Sequence, residues 1–364
     1  MSKAAELAKM GEVLTNGQIG GRRNIIINGA MNVAQRGTSS TGLGADGFTY
    51  NTVDRFKNVM AGSSAGRYTQ TQTAVTDLPG FANCLKFDCT TADTSIAADE
   101  ILQFGQYFEG QDVQQLKKGT SDAETVTASF YVKGNASATY TCELHDEDNS
   151  RYNGQTFSVT TSWNRVVLTF DADTTGTLNN DNASSLQLNI FLHAGSTYTG
   201  GTFSSNTWHT TNNQRANSSQ TSFYDSTDRE FFITGVQLEV GSTATPFEHR
   251  SFGEEMQLCQ RYFVRYSRND AYGEFFLLRT YDTSNGTCAH HLPVPMRDSP
   301  TLETSTVNSS NFSYSLSALS IGHASTNFQN VELFATGSFT ANGAAVVQKA
   351  NNSDVITIDF KAEL

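Results

Sequence analysis

Hydrophobic side chains recur at every second position along most of this chain. Val126, Ala128, Phe130 and Val132 alternate with Thr127, Ser129, Tyr131 and Lys133, and the same rhythm returns at Val166, Leu168 and Phe170. It appears again at Leu186, Leu188, Ile190 and Leu192, and at Val236, Leu238 and Val240. A period of two is that of a strand with one buried face. The Gly, Asn, Asp and Ser residues that bound each run supply turns. Between residues 24 and 250 only Gln111 to Lys118 hints at a helical turn. Strands apolar on one side, turn-rich connections and no interleaved helices predict an all-β fold class, with an antiparallel jelly-roll sandwich over residues 24–250. Within it Ile25 to Ile27 reads as a strand, with Asn28-Gly29 as a tight turn behind it. Strand patterns resume at residues 274–281, 288–294, 328–339 and 355–364, which predicts a smaller C-terminal β domain over residues 264–364.

Between the two the period changes. Gly241, Ser242 and Pro246 end the strand, and Ser251 with Glu254 three residues later has the form of a capping box. Phe252, Met256, Cys259 and Phe263 then share a helical face. The spacing predicts a short connecting helix over residues 251–263. It places Arg250, Phe252, Glu254, Glu255, Met256 and Arg261 at a domain joint or a subunit interface. At the other end, residues 1–23 stand apart. Ser2 can cap a short helix bearing Ala5, Leu7, Ala8 and Met10, which is too short to be stable without a partner. An anchor and a frayed terminus both fit it.

Composition narrows the function classes. A net charge of -12 with a pI near 5.0 argues against a nucleic-acid binder, because phosphate backbones call for basic patches. No apolar stretch approaches membrane-span length, and the first 21 residues lack a signal-peptide core, which predicts synthesis in a cytoplasm and no membrane insertion. Cys84, Cys89, Cys142, Cys259 and Cys288 form no CxxC pair, so neither a zinc ribbon nor a disulfide framework is signalled.

Candidate chemistry is sparse. Gly62-Ser63-Ser64-Ala65-Gly66 fits the GxSxG string of a nucleophile elbow, but strand pattern follows where a helix is required, so a hairpin turn is expected. His145, Asp146, Glu147 and Asp148 admit a solvated turn, calcium ligands on a loop, or paired glycosidase carboxylates. His290 and His291 point to opposite strand faces, one buried and one exposed. The loop from Tyr198 to Arg215 is the most suggestive. Tyr198, Trp208, His209 and Arg215 sit among amides and hydroxyls, the combination with which a carbohydrate site stacks a sugar ring and binds its hydroxyls. A tryptophan there also suits a plug for the end of a sandwich core. Trp163 reads as structural. No catalytic residue, cofactor or metal is assigned, and no enzyme activity is expected.

Several strings in order carry a resemblance: GGRRNIIINGAMNVAQRGTS at residues 20–39, YNTVDRF at 50–56, VTASFYVKG, TTSWNRVVLTF, VQLEVGSTATPFEHRSFGEEMQLCQRYF at 236–263, LPVPMRDSP at 292–300 and the terminal IDFKAEL. Together they resemble tail-fibre and other virion structural proteins of bacteriophages, notably marine and cyanobacterial ones, built on a jelly roll like that of carbohydrate-binding modules. The resemblance covers nearly the whole chain. It implies a virion location, contact with other phage virion proteins through the N-terminal segment, attachment to host-surface polysaccharide, and a homotrimer. Within these strings Asp54 and Arg55 suggest an ion pair that orients Arg55. Many tail fibres begin with a long adaptor and coiled-coil shaft, whereas this chain has no sustained heptads. A short fibre, a spike, or a decoration of capsid or tail therefore all fit. A purely structural virion protein is the alternative to a glycan-binding one, with a tail-borne glycan hydrolase further off.

Overall fold

The alternating runs pair into two antiparallel six-stranded sheets whose apolar faces meet. The computed structural model describes residue 3 and residues 22–269, 273–304, 307–309, 315–325, 328–349 and 356–364. The first sheet orders β1 (Ser39–Leu43), β4 (Arg67–Ala74), β5 (Asn83–Thr91), β12 (Glu230–Val240), β7 (Val126–Gly134) and β10 (Asn164–Phe170). The second orders β2 (Gly47–Thr49), β3 (Lys57–Ala61), β6 (Ile101–Glu109), β11 (Ser184–Ala194), β8 (Ala138–Asp146) and β9 (Arg151–Val159). The chain crosses between sheets at most connections, in a jelly-roll layout, and the all-β expectation holds. Phe87 meets Phe104 across the sandwich with ring centroids 4.7 Å apart, and Phe130 meets Phe157 at 5.1 Å. Leu85, Ala128, Val132 and Ile233 of the first sheet share that core with Leu144, Leu188 and Ile190 of the second.

Two local expectations change. Residues 25–27 form no ladder strand. Ile25 N–H donates to Leu238 O, and Ile27 exchanges both backbone bonds with the side-chain amide of Gln106. One backbone bond and the Gln106 side chain hold the segment to the sandwich, so its three isoleucines mimic a strand without joining one. The GxSxG stretch is a connection from one sheet to the other, since β3 and β4 lie in different sheets. Ser64 Oγ donates to Asp93 at 2.9 Å, and a Cβ on Gly66 would stand 2.4 Å from the Tyr224 ring. Asp54 accepts from the Gln35 backbone and lies 3.7 Å from Arg36, while Arg55, at φ +74°, donates to Tyr107 O at 2.7 Å. Gln111 to Lys118 contains two 3₁₀ turns, Gly110–Asp112 and Gln114–Leu116.

The chain divides into two compact units between Ser251 and Phe252. In the second unit, β13 (Phe263–Arg268), β21 (Ile356–Lys361) and β16 (Thr301–Thr304) form one sheet. The other sheet orders β17 (Val307–Ser309), β20 (Ala344–Lys349), β14 (Glu274–Thr280), β15 (Asn285–His291), β19 (Asn330–Ser338) and β18 (Ser315–Ala324). Leu278, Leu333, Val347 and Phe360 lie in its core. His290 stacks on Phe360 at 5.7 Å, and His291 is exposed.

The predicted connecting helix spans Phe252–Gln260 and is the opening element of this unit. Its buried residues are Glu255 and Cys259, whereas Phe252 is 58% exposed, so the stripe is rotated from the predicted one. Phe263 is buried too, but as the first residue of β13 rather than on the helix. Glu254 is exposed, and Met256 and Arg261 are half-buried. Arg261 O accepts from Arg297 N–H within the same unit. Arg250 belongs to the first unit, where its guanidinium donates to the carbonyls of Asn24 and Ile26. The predicted N-terminal helix lies outside the described residues apart from Lys3.

Candidate functional site: the outer face of the second sheet

Side chains that alternate with core residues on β6, β11, β8 and β9 line up in rows on the outside of the second sheet. Register places Lys57, Gly105, Asn189, Glu143 and Gly154 in one row across β3, β6, β11, β8 and β9. Tyr107, Gln187, His145 and Tyr152 form the next. On the outside of a sheet these polar groups would ordinarily be solvated, yet Gln103, Tyr107, Glu143, Gln187 and Asn189 are all buried.

They are joined by hydrogen bonds. Asn189 Nδ2 donates to Gln187 Oε1 at 3.0 Å, and Gln187 Oε1 also lies 3.1 Å from His145 Nδ1. Gln187 Nε2 donates to Glu147 Oε2 at 2.7 Å. Two buried atoms, Gln103 Nε2 and Asn189 Oδ1, have no hydrogen-bond partner. Toward the β2 edge the face is aromatic. Lys57 Nζ lies 4.3 Å from the centroid of the Tyr107 ring and 5.6 Å from that of Phe48, which is 70% exposed. Burial, with Glu147 adding to it, raises the Tyr107 hydroxyl above its ordinary pKa and keeps it neutral. The open Phe48 ring can stack on an apolar ligand face and the exposed Glu147 carboxylate can accept hydrogen bonds from its rim, while the enclosed amides hold the face between them in shape.

The other side of the face is covered by the chain's own loop, residues 195–221, which acts as a strap. Arg215 donates twice to Glu143, Nε to Oε1 and Nη2 to Oε2, each at 2.8 Å. Its guanidinium carbon lies 4.4 Å from the centroid of the Tyr152 ring. Burial opposes the charge on Arg215, but Glu143 outweighs it and the pKa is raised. His209 forms a two-bond bridge with Tyr152, N–H to O at 3.0 Å and the reverse at 2.8 Å. Tyr198 packs with Ile101, Phe191 and Ala216 in a small cluster of its own. Gly154 permits this approach, since a Cβ there would stand 2.8 Å from Arg215 O and 2.9 Å from the Phe203 ring.

Trp208 turns away from Tyr198, His209 and Arg215. It closes the end of the core beside Leu116, Leu144, Phe170 and Leu186, and its Nε1 donates to Asp171 O at 2.8 Å. Lys118 Nζ sits 5.0 Å from the centroid of its ring. The plug is therefore the arrangement found. Trp163 lies on the first sheet, donating to Asp77 at 2.8 Å with Lys133 above its ring.

The acidic stretch also splits up. Asp146 ends β8 facing inward to Lys118 Nζ, Glu147 accepts from Ser184 and Gln187, and Asp148 takes the backbone and side chain of Asn179. Among the described residues no group of three His, Cys, Asp or Glu side chains is arranged to hold a metal ion. A separate buried array joins Glu100, His193 and Ser222, with His193 Nε2 2.9 Å from Glu100 and Nδ1 2.8 Å from Ser222 Oγ. It has the constituents of an acyl-transfer relay. However, Ser222 Oγ accepts from Tyr224 N–H to cap a 3₁₀ turn, and the imidazole is fully enclosed, so it reads as a lock on a loop.

No protein-family model matches this sequence, and no curated protein matches it. Among solved structures it is similar to a family 4 carbohydrate-binding module at 13% identity, covering 58% of this chain and 97% of the other, with a TM-score of 0.31. It is similar to a family 61 carbohydrate-binding module in complex with β-1,4-galactotriose at 8% identity, over 60% of this chain and 99% of the other, TM-score 0.30. A third is the family 11 carbohydrate-binding module of a Clostridium thermocellum cellulosomal cellulase, at 10% identity over 55% and 98%, TM-score 0.28. Similarity at this level assigns neither a ligand nor a residue role to the present chain.

The outer-face residues carry little local signal in the sequence. Gln187 and Asn189 alternate visibly with Leu186, Leu188 and Ile190, but which polar residues of β6 and β8 stand beside them depends on pairing register, which has no local signal.

Proposed function

We propose that this is a bacteriophage virion protein of tail-fibre or spike type that attaches to host-surface glycans through the outer face of its second sheet. The observation that carries the reading is the strip from exposed Phe48 through Lys57 and Tyr107 to Gln187, His145 and Glu147. A pyranose offers an apolar face to a ring and a rim of hydroxyls to polar side chains; the exposed Phe48 ring suits the first and the exposed Glu147 carboxylate the second. The virion setting comes from the sequence resemblance, as do trimerisation and an N-terminal contact with other virion proteins. Several shallow sites on one particle combine by avidity, so no single copy needs a deep pocket.

The test is binding of the purified protein to host cells and to an array of host-envelope glycans, with Phe48→Ala and Glu147→Gln variants of unchanged melting temperature. The expected result is saturable binding that weakens about tenfold in each variant, in line with loss of one stacking or hydrogen-bonding partner. Absence of binding by folded wild-type protein on both surfaces would transfer the reading to a purely structural fibre or decoration protein.

A further inference from the structure

We propose that the strap over the second sheet is an acid-released latch: protonation of His209 and His145 loosens residues 203–217 from β9 and opens the Tyr152 side of the face. The two imidazoles flank one ring. His145 lies 4.7 Å and His209 5.9 Å from the Tyr152 ring, centroid to centroid, and the Arg215 guanidinium is already 4.4 Å from it.

His209 has no room for a second proton. Thr211 N–H can only donate, and it donates to His209 Nδ1 at 3.2 Å, so the ring carries its proton on Nε2. That Nε2 is buried without a hydrogen-bond partner. A proton added at Nδ1 would meet the Thr211 N–H head-on and break the turn that precedes Asn212–Gln214. His145 stands across Tyr152 on β8, its Nδ1 directed at Gln187 Oε1.

The charges around the pair favour release. Glu143 on β8 faces both imidazoles but is already taken up by both arms of Arg215. Glu147 at the end of β8 is exposed and accepts from Ser184 and Gln187, and Tyr107 on β6 is neutral. Arg151 on β9 adds positive charge toward His209 while pairing with Asp173. Tyr152 itself and Tyr198 of the strap complete the titratable neighbours. Burial, followed by Arg215, works to hold both imidazoles below their ordinary pKa, against Glu143. Two new cations would therefore join Arg215 around a single buried carboxylate.

Opening would uncover the Tyr152 side of this face, from β8 across to β9. The inference concerns the same face as the glycan reading, yet the strap can be followed whether or not any glycan binds. The experiment is amide hydrogen exchange of residues 203–217, corrected for intrinsic chemistry, at about pH 7.5 and about pH 5, which bracket the ordinary histidine range. Wild type should exchange about tenfold faster in this segment at the lower pH while β6 and β11 keep their protection. The double variant His145→Asn, His209→Gln should show no such difference. Unchanged protection of the wild-type strap at low pH would overturn the latch, and so would an equal acid response in a folded double variant.

Discussion

Arg215 and Glu143 meet through two parallel hydrogen bonds of 2.8 Å, and the Glu143 side chain is wholly enclosed. Because the pair is bidentate and out of water, removing one partner leaves an unneutralised buried charge. Arg215→Ala is expected to lower unfolding free energy by about 3–5 kcal/mol, the usual cost of breaking a buried pair. Urea denaturation of the two proteins checks this, and a loss below about 1 kcal/mol would mark the pair as a surface contact.

Trp208 predicts a different outcome. Its ring plugs the core, so Trp208→Ala should destabilise the sandwich by about 2–4 kcal/mol, at or below the range for a large aromatic truncation. Glycan affinity of the folded variant should match wild type. A selective loss of binding with stability unchanged would return Trp208 to the binding surface.

Lys118 fills a cage of oxygens. Its Nζ lies 2.5 Å from Asp146 Oδ2, 2.9 Å from Asp173 Oδ2, 2.9 Å from Thr175 O and 3.0 Å from Gly176 O. Despite burial, hydrogen bonds from Arg151 and Lys118 hold the Asp173 carboxyl below its ordinary pKa. Lys118→Met is expected to lower the melting temperature, and millimolar calcium to recover part of the loss in the variant alone, because carboxylate and carbonyl oxygens are calcium ligands. A variant that melts identically with and without calcium would show that the oxygens cannot close around the ion.

Histidine sets the acid limit of stability. Burial lowers the pKa of His145, His193 and His209, outweighing Glu143 for the first and third and Glu100 for the second. Since the unfolded chain binds protons at these rings more readily, their contribution is complete above about pH 6.5 and is lost as pH falls through the lowered folded values. The urea midpoint should therefore drop steadily from about pH 6.5 downward, and less steeply in His193→Gln. A midpoint constant to about pH 5 would contradict the assignment.

The strands most legible in the sequence were those with one clean apolar face, such as β7, β10 and β11. Strand β6 shows no clear period because every one of its residues is buried, so Gln103, Gly105 and Tyr107 interrupt the apolar pattern without marking an exposed side. Short β2 carries too few residues to show a period. The Tyr198 to Arg215 loop stood out by composition, but composition does not distinguish side chains aimed at solvent from side chains clipped to a neighbouring sheet. That depended on Glu143 and Tyr152, more than fifty and more than forty residues earlier, respectively. The same long-range dependence hid the site, whose polar residues become neighbours only once β6, β11 and β8 are in register.

Strand β12 lies in the middle of the first sheet, between β5 and β7, although it is the last strand of its unit to be synthesised. Until Val240 has left the ribosome, the two halves of that sheet have no shared partner and the edges of β5 and β7 stand open. The first unit therefore closes only once β12 has emerged, while the second unit is still being made, and until then the nascent chain carries unpaired strand edges.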